Sequence, residues 1–163
     1  MNNNQCNTPK GDCGKKMGIK CLIPVAVIFA VIFAFEWVFH GHIMMPQYEA
    51  TASMWRPMEE MQSFMWVCII RKLVMAGIIS CLYCCVAKGA ECQGKCPKNG
   101  AKFGLKIGLL MGIMQWGSYA YMPIPMEMAV YWLVGYTVLG VILGVVLAKL
   151  CQMCKNGECK TGA

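Results

Sequence analysis

Four stretches of this sequence, at about residues 21–40, 67–87, 103–122 and 129–149, are long and apolar, and they leave the chain few folds to choose from. Each has roughly the 20 residues that an α-helix needs to cross the hydrocarbon core of a bilayer. Inside that core every backbone N–H and C=O must be satisfied within its own segment, so such stretches are helices. With 58% hydrophobic and only 14% charged residues, the chain is too apolar for an ordinary soluble domain. The fold class expected is therefore all-α: a membrane-spanning four-helix bundle over 21–150. Flanking it are a Cys/Lys tail at 1–20 and a Cys-rich tail at 151–163. The outer loop runs over 41–66 and the inner loop over 88–102. The first helix is expected to be retained, because "FEWVFHGH" follows it rather than a small-x-small cleavage site.

Orientation follows from lysine and arginine. Lys10, Lys15, Lys16 and Lys20 precede the first stretch, Lys88, Lys95, Lys98, Lys102 and Lys106 lie between the second and third, and Lys149, Lys155 and Lys160 end the chain. The opposite side has only Arg56, Arg71 and Lys72, with Glu36, Glu49, Glu59, Glu60 and Glu127. The positive-inside rule places both termini in the cytoplasm. A multi-pass protein of the bacterial inner (plasma) membrane is the localisation this implies. The five tryptophans fall at or beyond the outer ends of the helices, as a one-sided interfacial belt.

Glu36 interrupts the first stretch about one turn inside its outer end. A lone charge at that depth costs a few kcal/mol, which pairing lowers. Arg71 lies at similar depth on the second helix and is the expected partner, with Lys72 snorkelling outward as the fallback. His40 shares the Glu36 face at spacing four, and Gln115 and Tyr119 lie at comparable depth on the third helix. A cluster of Glu36, His40, Arg71, Gln115 and Tyr119 is a docking clasp on one reading and an outward-facing polar pocket or proton relay on the other.

Small residues recur at spacing four in every helix: Ala26, Ala30 and Ala34; Ala76, Ser80 and Cys84; Gly104, Gly108 and Gly112; Gly140, Gly144 and Ala148. Such stripes let backbones approach closely and predict a tight bundle. In the outer loop, Pro57 with Glu59 and Glu60 predicts the start of a short helix. Met54, Met58, Met61 and Met65 follow a helical spacing, which reads as an apolar face or, with His40, His42, Met44 and Met45, as thioether ligands for Cu(I).

Eleven of the 12 cysteines fall on the cytoplasmic side, Cys68 being the exception. The cytosol keeps thiols reduced, so a disulfide scaffold is not expected. Cys151 and Cys154 form the one CxxC, with Cys159 close behind, and Cys92 and Cys96 carry a looser three-residue spacer. Such thiolates suit Zn, Cu(I) or an iron–sulfur cluster, although no standard finger or ferredoxin pattern is matched. The cysteines inside the helices (Cys68, Cys81, Cys84, Cys85) read as packing residues.

No phosphate-binding loop, HExxH or Ser/His/Asp arrangement is present, so no enzyme is expected. A membrane thiol oxidoreductase would require the inverted topology. The basic segments suit anionic lipid rather than nucleic acid. The segments "FEWVFHG", "YEATASMWRP" and "GLKIGLLMGIMQWGSYAYMPIP" resemble those of small bacterial four-helix integral membrane proteins, a family with no assigned activity. That resemblance implies four helices; the cysteine-bearing tails depart from its pattern. Two functions remain: binding or buffering a soft metal (Cu(I) or Zn) through cytoplasmic cysteines, or a non-catalytic accessory subunit packing laterally against other membrane subunits or its own copies in the bilayer.

Overall fold

The computed structural model describes residues 19–89 and 97–158, with side chains over 22–87 and 97–151. All regular structure among the described residues is helical. Helix α1 (Ile19–Val38) runs into a π-helical turn at Phe39–Ile43. Short helices α2 (Met45–Ala50) and α3 (Met58–Ser63) then lead to α4 (Met65–Gly89), α5 (Pro97–Trp116) and α6 (Met126–Glu158). Helix α5 begins on a proline, whose missing N–H costs nothing in the first turn. Pro123 and Pro125 interrupt the chain between α5 and α6, and Glu127 sits in the first turn of α6, where the positive end of the helix dipole favours it.

Three of these helices are long and apolar enough to cross a membrane: Leu22–Ile43, Met65–Ala87 and Met126–Cys151. Helix α5 has the length, 20 residues, yet falls short in apolarity. Its first half carries exposed Lys98, Lys102 and Lys106, and four of its positions are glycine.

The packing has one dominant seam. The face of α5 formed by Gly100, Gly104, Gly108 and Gly112 is buried against α6. A Cβ added at Gly104 would fall on the Gly140 carbonyl oxygen, and one at Gly144 on that of Gly100. At Gly108 a Cβ would stand 2.7 Å from the Thr137 and Tyr136 carbonyl oxygens. The two antiparallel backbones touch directly, from the Gly100–Ala148 level to the Gly112–Leu133 level. Glycine is required there because any side chain would separate the helices.

Helix α1 packs on α4 and on α6. Its buried side is Ile28, Ile32, Glu36 and Phe39, one residue per turn. The Phe39 ring is seated where a Cβ on Gly135 of α6 would stand. Tyr83, almost fully buried on α4, meets Phe103 of α5 edge-on with ring centroids 5.1 Å apart. These contacts correct one expectation. Ala26, Ala30 and Ala34 are exposed, not packed inside. They sit two residues from the Ile28–Ile32–Glu36 line, about 200° around the helix. On α4 the stripe does face inward at Ala76 and Ser80.

A second correction concerns the methionines. Helical spacing from Met54 to Met65 presumes one continuous helix. Instead the backbone is extended at Trp55 and Pro57, and α3 ends at Ser63. Pro57 contributes to the first break, since a proline disfavours helical backbone at the residue before it, here Arg56. Met54 is half-buried, while Met58, Met61 and Met65 are exposed.

Candidate functional site: an ionic clasp and an aromatic clamp

The site grows from Glu36, only 4% exposed on the buried side of α1. Its neighbours in sequence are apolar or aromatic, so its compensation must come from another helix. Helix α4 supplies it twice. Arg71 Nη2 donates to Glu36 Oε2 at 3.0 Å and to Oε1 at 3.3 Å, and Lys72 Nζ pairs with Oε2 at 3.1 Å. The two cations differ in setting: the Lys72 side chain is 14% exposed and the Arg71 side chain 49%. Lys72 therefore does not snorkel outward. It turns inward, its ammonium 4.8 Å from the centroid of the Phe33 ring, a cation–π contact that helps replace lost water.

One turn beyond Glu36, the π-helical turn presents His40. The wider turn inserts an extra residue, closed by the Met44 N–H donating to the Phe39 carbonyl at 2.9 Å. Such insertions re-aim side chains. His40 Nδ1 lies 2.6 Å from the Tyr48 hydroxyl on α2. The same oxygen accepts a hydrogen bond from Trp132 Nε1 of α6 at 3.3 Å. Tyr48 thus joins α2 to both His40 and Trp132 through one hydroxyl. Burial pushes the Tyr48 phenol above its ordinary value, with the Trp132 bond acting in the opposite sense.

Around this pair the segment between α1 and α4 is tied down by its own residues. Trp55 Nε1 donates to Thr51 Oγ1 at 2.9 Å, Thr51 Oγ1 donates to the Gln47 carbonyl at 2.7 Å, and the Tyr48 and Trp55 rings meet edge-on at 5.3 Å. The distinctive "YEATASMWRP" segment is thus a local clamp that holds Tyr48 over His40. Tyr136 of α6, 6.3 Å from His40 between ring centroids, interacts with both Glu36 and Arg71.

Of the five residues expected in the cluster, Glu36, His40 and Arg71 are brought together. Gln115 and Tyr119 are not in contact with them among the described interactions. Helix α5 docks on α6, the Gln115 carbonyl accepts from Ser118 Oγ at 2.5 Å, and Tyr119 is exposed. Spacing alone missed Tyr48, Trp132 and Tyr136. Trp132 and Tyr136, buried four apart on α6, were the legible signal.

The candidate metal ligands fare differently. Cys92, Cys96 and Cys159 lie outside the described residues, as does the side chain of Cys154. Cys151 is half-buried and packs against the core. Among the described residues no three His, Cys, Asp or Glu side chains are grouped as metal ligands. His42 diverges from His40: it is exposed, edge-on to Trp37 at 5.5 Å.

Comparison with family models, with curated proteins and with solved structures returns no match for this chain. The geometry above therefore carries the functional argument. Chemically, Glu36 is occupied at both oxygens by cations, and the arrangement fastens α1 to α4.

Proposed function

We propose that this chain is a four-pass protein of the bacterial inner (plasma) membrane, with both termini cytoplasmic, that serves as a non-catalytic accessory subunit packing laterally against other membrane-embedded chains. The observation that carries the reading is the register of α5 on α6. Helix α5 contacts α6 backbone to backbone from Ala148 to Leu133, within the apolar span Met126–Cys151. If α6 crosses the bilayer, α5 lies at the same depths. Exposed lysines then fall at one end of α5, where they extend toward head groups, and exposed Trp37, Trp66, Trp116 and Tyr121 fall at the other.

Lateral packing is supported by what the helices leave uncovered. On α1 the Ala26–Ala30–Ala34 stripe is exposed beside Phe33, and on α4 Ile70, Leu73, Val74 and Ile78 are exposed. Chemical cross-linking in native membranes followed by mild solubilisation tests the proposal. Cross-linked species containing a second membrane chain or a second copy are expected; a clean monomer would contradict it.

A soft-metal reading keeps one supporting observation. Helix α6 continues through Glu158, so positions 151 and 154 of the CxxC lie three apart on one helix. On this reading Cys151, Cys154 and Cys159, with Cys92 and Cys96, hold Cu(I) or Zn as thiolates. Purified, reduced protein should then contain close to one equivalent of metal, lost in Cys151→Ser/Cys154→Ser. Less than about a tenth of an equivalent in the parent chain rules this reading out.

A further inference from the structure

We propose that Arg71, held against Glu36 and backed by Lys72, binds the phosphate of an anionic lipid in the outer leaflet. The inference rests on the four-pass reading and adds a ligand to it. Three observations carry it. First, the ionic clasp is unbalanced: one carboxylate serves two cations, at 3.0 Å and 3.1 Å, leaving one positive charge in excess. Second, that excess is not shared evenly. Lys72 is enclosed against Phe33, whereas the Arg71 side chain is 49% exposed. Glu36 engages only Nη2 of the guanidinium and Tyr136 takes a further hydrogen bond, so part of the five-donor fork is left for another acceptor. Third, the surroundings of Arg71 on α4 are exposed and apolar: Ile69, Ile70, Leu73 and Val74. The donors that Glu36 and Tyr136 leave free face this apolar surround, where an acceptor at the membrane surface stabilises them.

Depth makes a lipid phosphate the natural acceptor. Exposed Trp66 precedes Arg71 by five residues and marks the interface, about 7.5 Å along the helix, a span that a snorkelling arginine covers. The planar fork matches phosphate oxygens in pairs, which an ammonium does not. The excess charge selects lipids with net negative head groups. A zwitterionic lipid brings its own cation and leaves the imbalance in place.

The test uses the full chain in neutral detergent, with phosphatidylglycerol, phosphatidylcholine or inorganic phosphate added, read by native mass spectrometry and melting temperature. Phosphatidylglycerol is expected to remain bound and to raise the melting temperature by about 4 °C, with no response to the other two. Arg71→Gln should lower phosphatidylglycerol retention about fivefold, the share one membrane-surface cation contributes, while Arg56→Gln in the outer loop leaves it unchanged. If Arg71→Gln does not stay monodisperse, Arg71→Lys decides, because it keeps a cation for Glu36 and loses the fork; its retention should fall about twofold. Equal retention of both lipids, a response to inorganic phosphate, or full retention in the deciding variant would each overturn the proposal. Flotation of reconstituted vesicles separates the two levels. A chain that floats without lipid preference ends the lipid site alone, and a chain that does not float ends the four-pass reading together with it.

Discussion

The two main seams of this bundle are held by opposite means. Between α5 and α6 the helices touch because side chains are missing: Gly100, Gly104 and Gly108 face Gly140, Gly144 and Ala148, Gly112 meets the Leu133 backbone, and main-chain atoms meet main-chain atoms. Between α1 and α4 one end is fastened by long side chains, two cations on one buried carboxylate. The first seam has shape and no charge; the second is specified by charge at one level. In lipid this division makes sense. Apolar side chains gain little by leaving hydrocarbon for hydrocarbon, so helices associate by close backbone packing or by polar contacts. The glycine seam should thus tolerate no added atoms, and the ionic seam no lost charge.

The largest effect is expected at the glycine seam. Gly140→Leu places its Cβ against backbone atoms of Gly104 and Gly108 and should cost about 3 kcal/mol or more in detergent unfolding, as severe overpacking does. Gly77→Ala inside α4, where an added Cβ meets nothing within 4 Å, should cost nothing and should stabilise the helix by up to about 1 kcal/mol. Comparable losses at both sites would erase the contrast between the seams.

Next comes the ionic clasp. Glu36→Gln leaves two cations uncompensated and should cost about 2–4 kcal/mol. Double-mutant cycles should find Glu36 coupled more strongly to Lys72 than to Arg71, because the lysine is the enclosed partner and the half-exposed arginine divides its donors between Glu36 and the membrane surface. Stronger coupling to Arg71 would reverse the assignment of the inner partner.

A smaller effect is expected at the clamp over His40. The Tyr48 phenol is raised by burial in the folded chain, so the folded state holds its proton more tightly than the unfolded state. Its contribution is fully present below the unfolded phenol value, near pH 10, and is lost as pH rises through the folded value. Thermal stability should fall above about pH 10, and Tyr48→Phe should flatten that fall. An identical alkaline profile in the variant would remove Tyr48 from the account. Smallest of all, Tyr119→Ala should alter stability by under about 0.5 kcal/mol, because Tyr119 is exposed and apart from the clasp.

Much of this architecture was legible from the chain. The apolar stretches located α1, α4 and α6, and one charge inside such a stretch announced a partner on the neighbouring helix, because hydrocarbon leaves it no alternative. Which face each helix buries was not legible. Helix α1 is apolar all round, so Ala26, Ala30 and Ala34 read equally well as an inner or an outer stripe. On α5 the glycine stripe did point to the buried face. The methionine spacing misled because Pro57 breaks the helix it presumed. Tyr48 and Trp132 are 84 positions apart in the chain, and their meeting follows from the fold, not from any local pattern.

The central claim is that α5 crosses the bilayer alongside α6, giving four passes. Three crossings would put the chain ends on opposite sides of the membrane; four put them on the same side. The direct measurement is impermeant thiol labelling of intact cells that carry Cys6, Cys159 or a Ser53→Cys substitution as the sole cysteine. The account predicts labelling of Ser53→Cys from outside, and of Cys6 and Cys159 only after permeabilisation. Labelling of Cys159 from outside with Cys6 protected would contradict it.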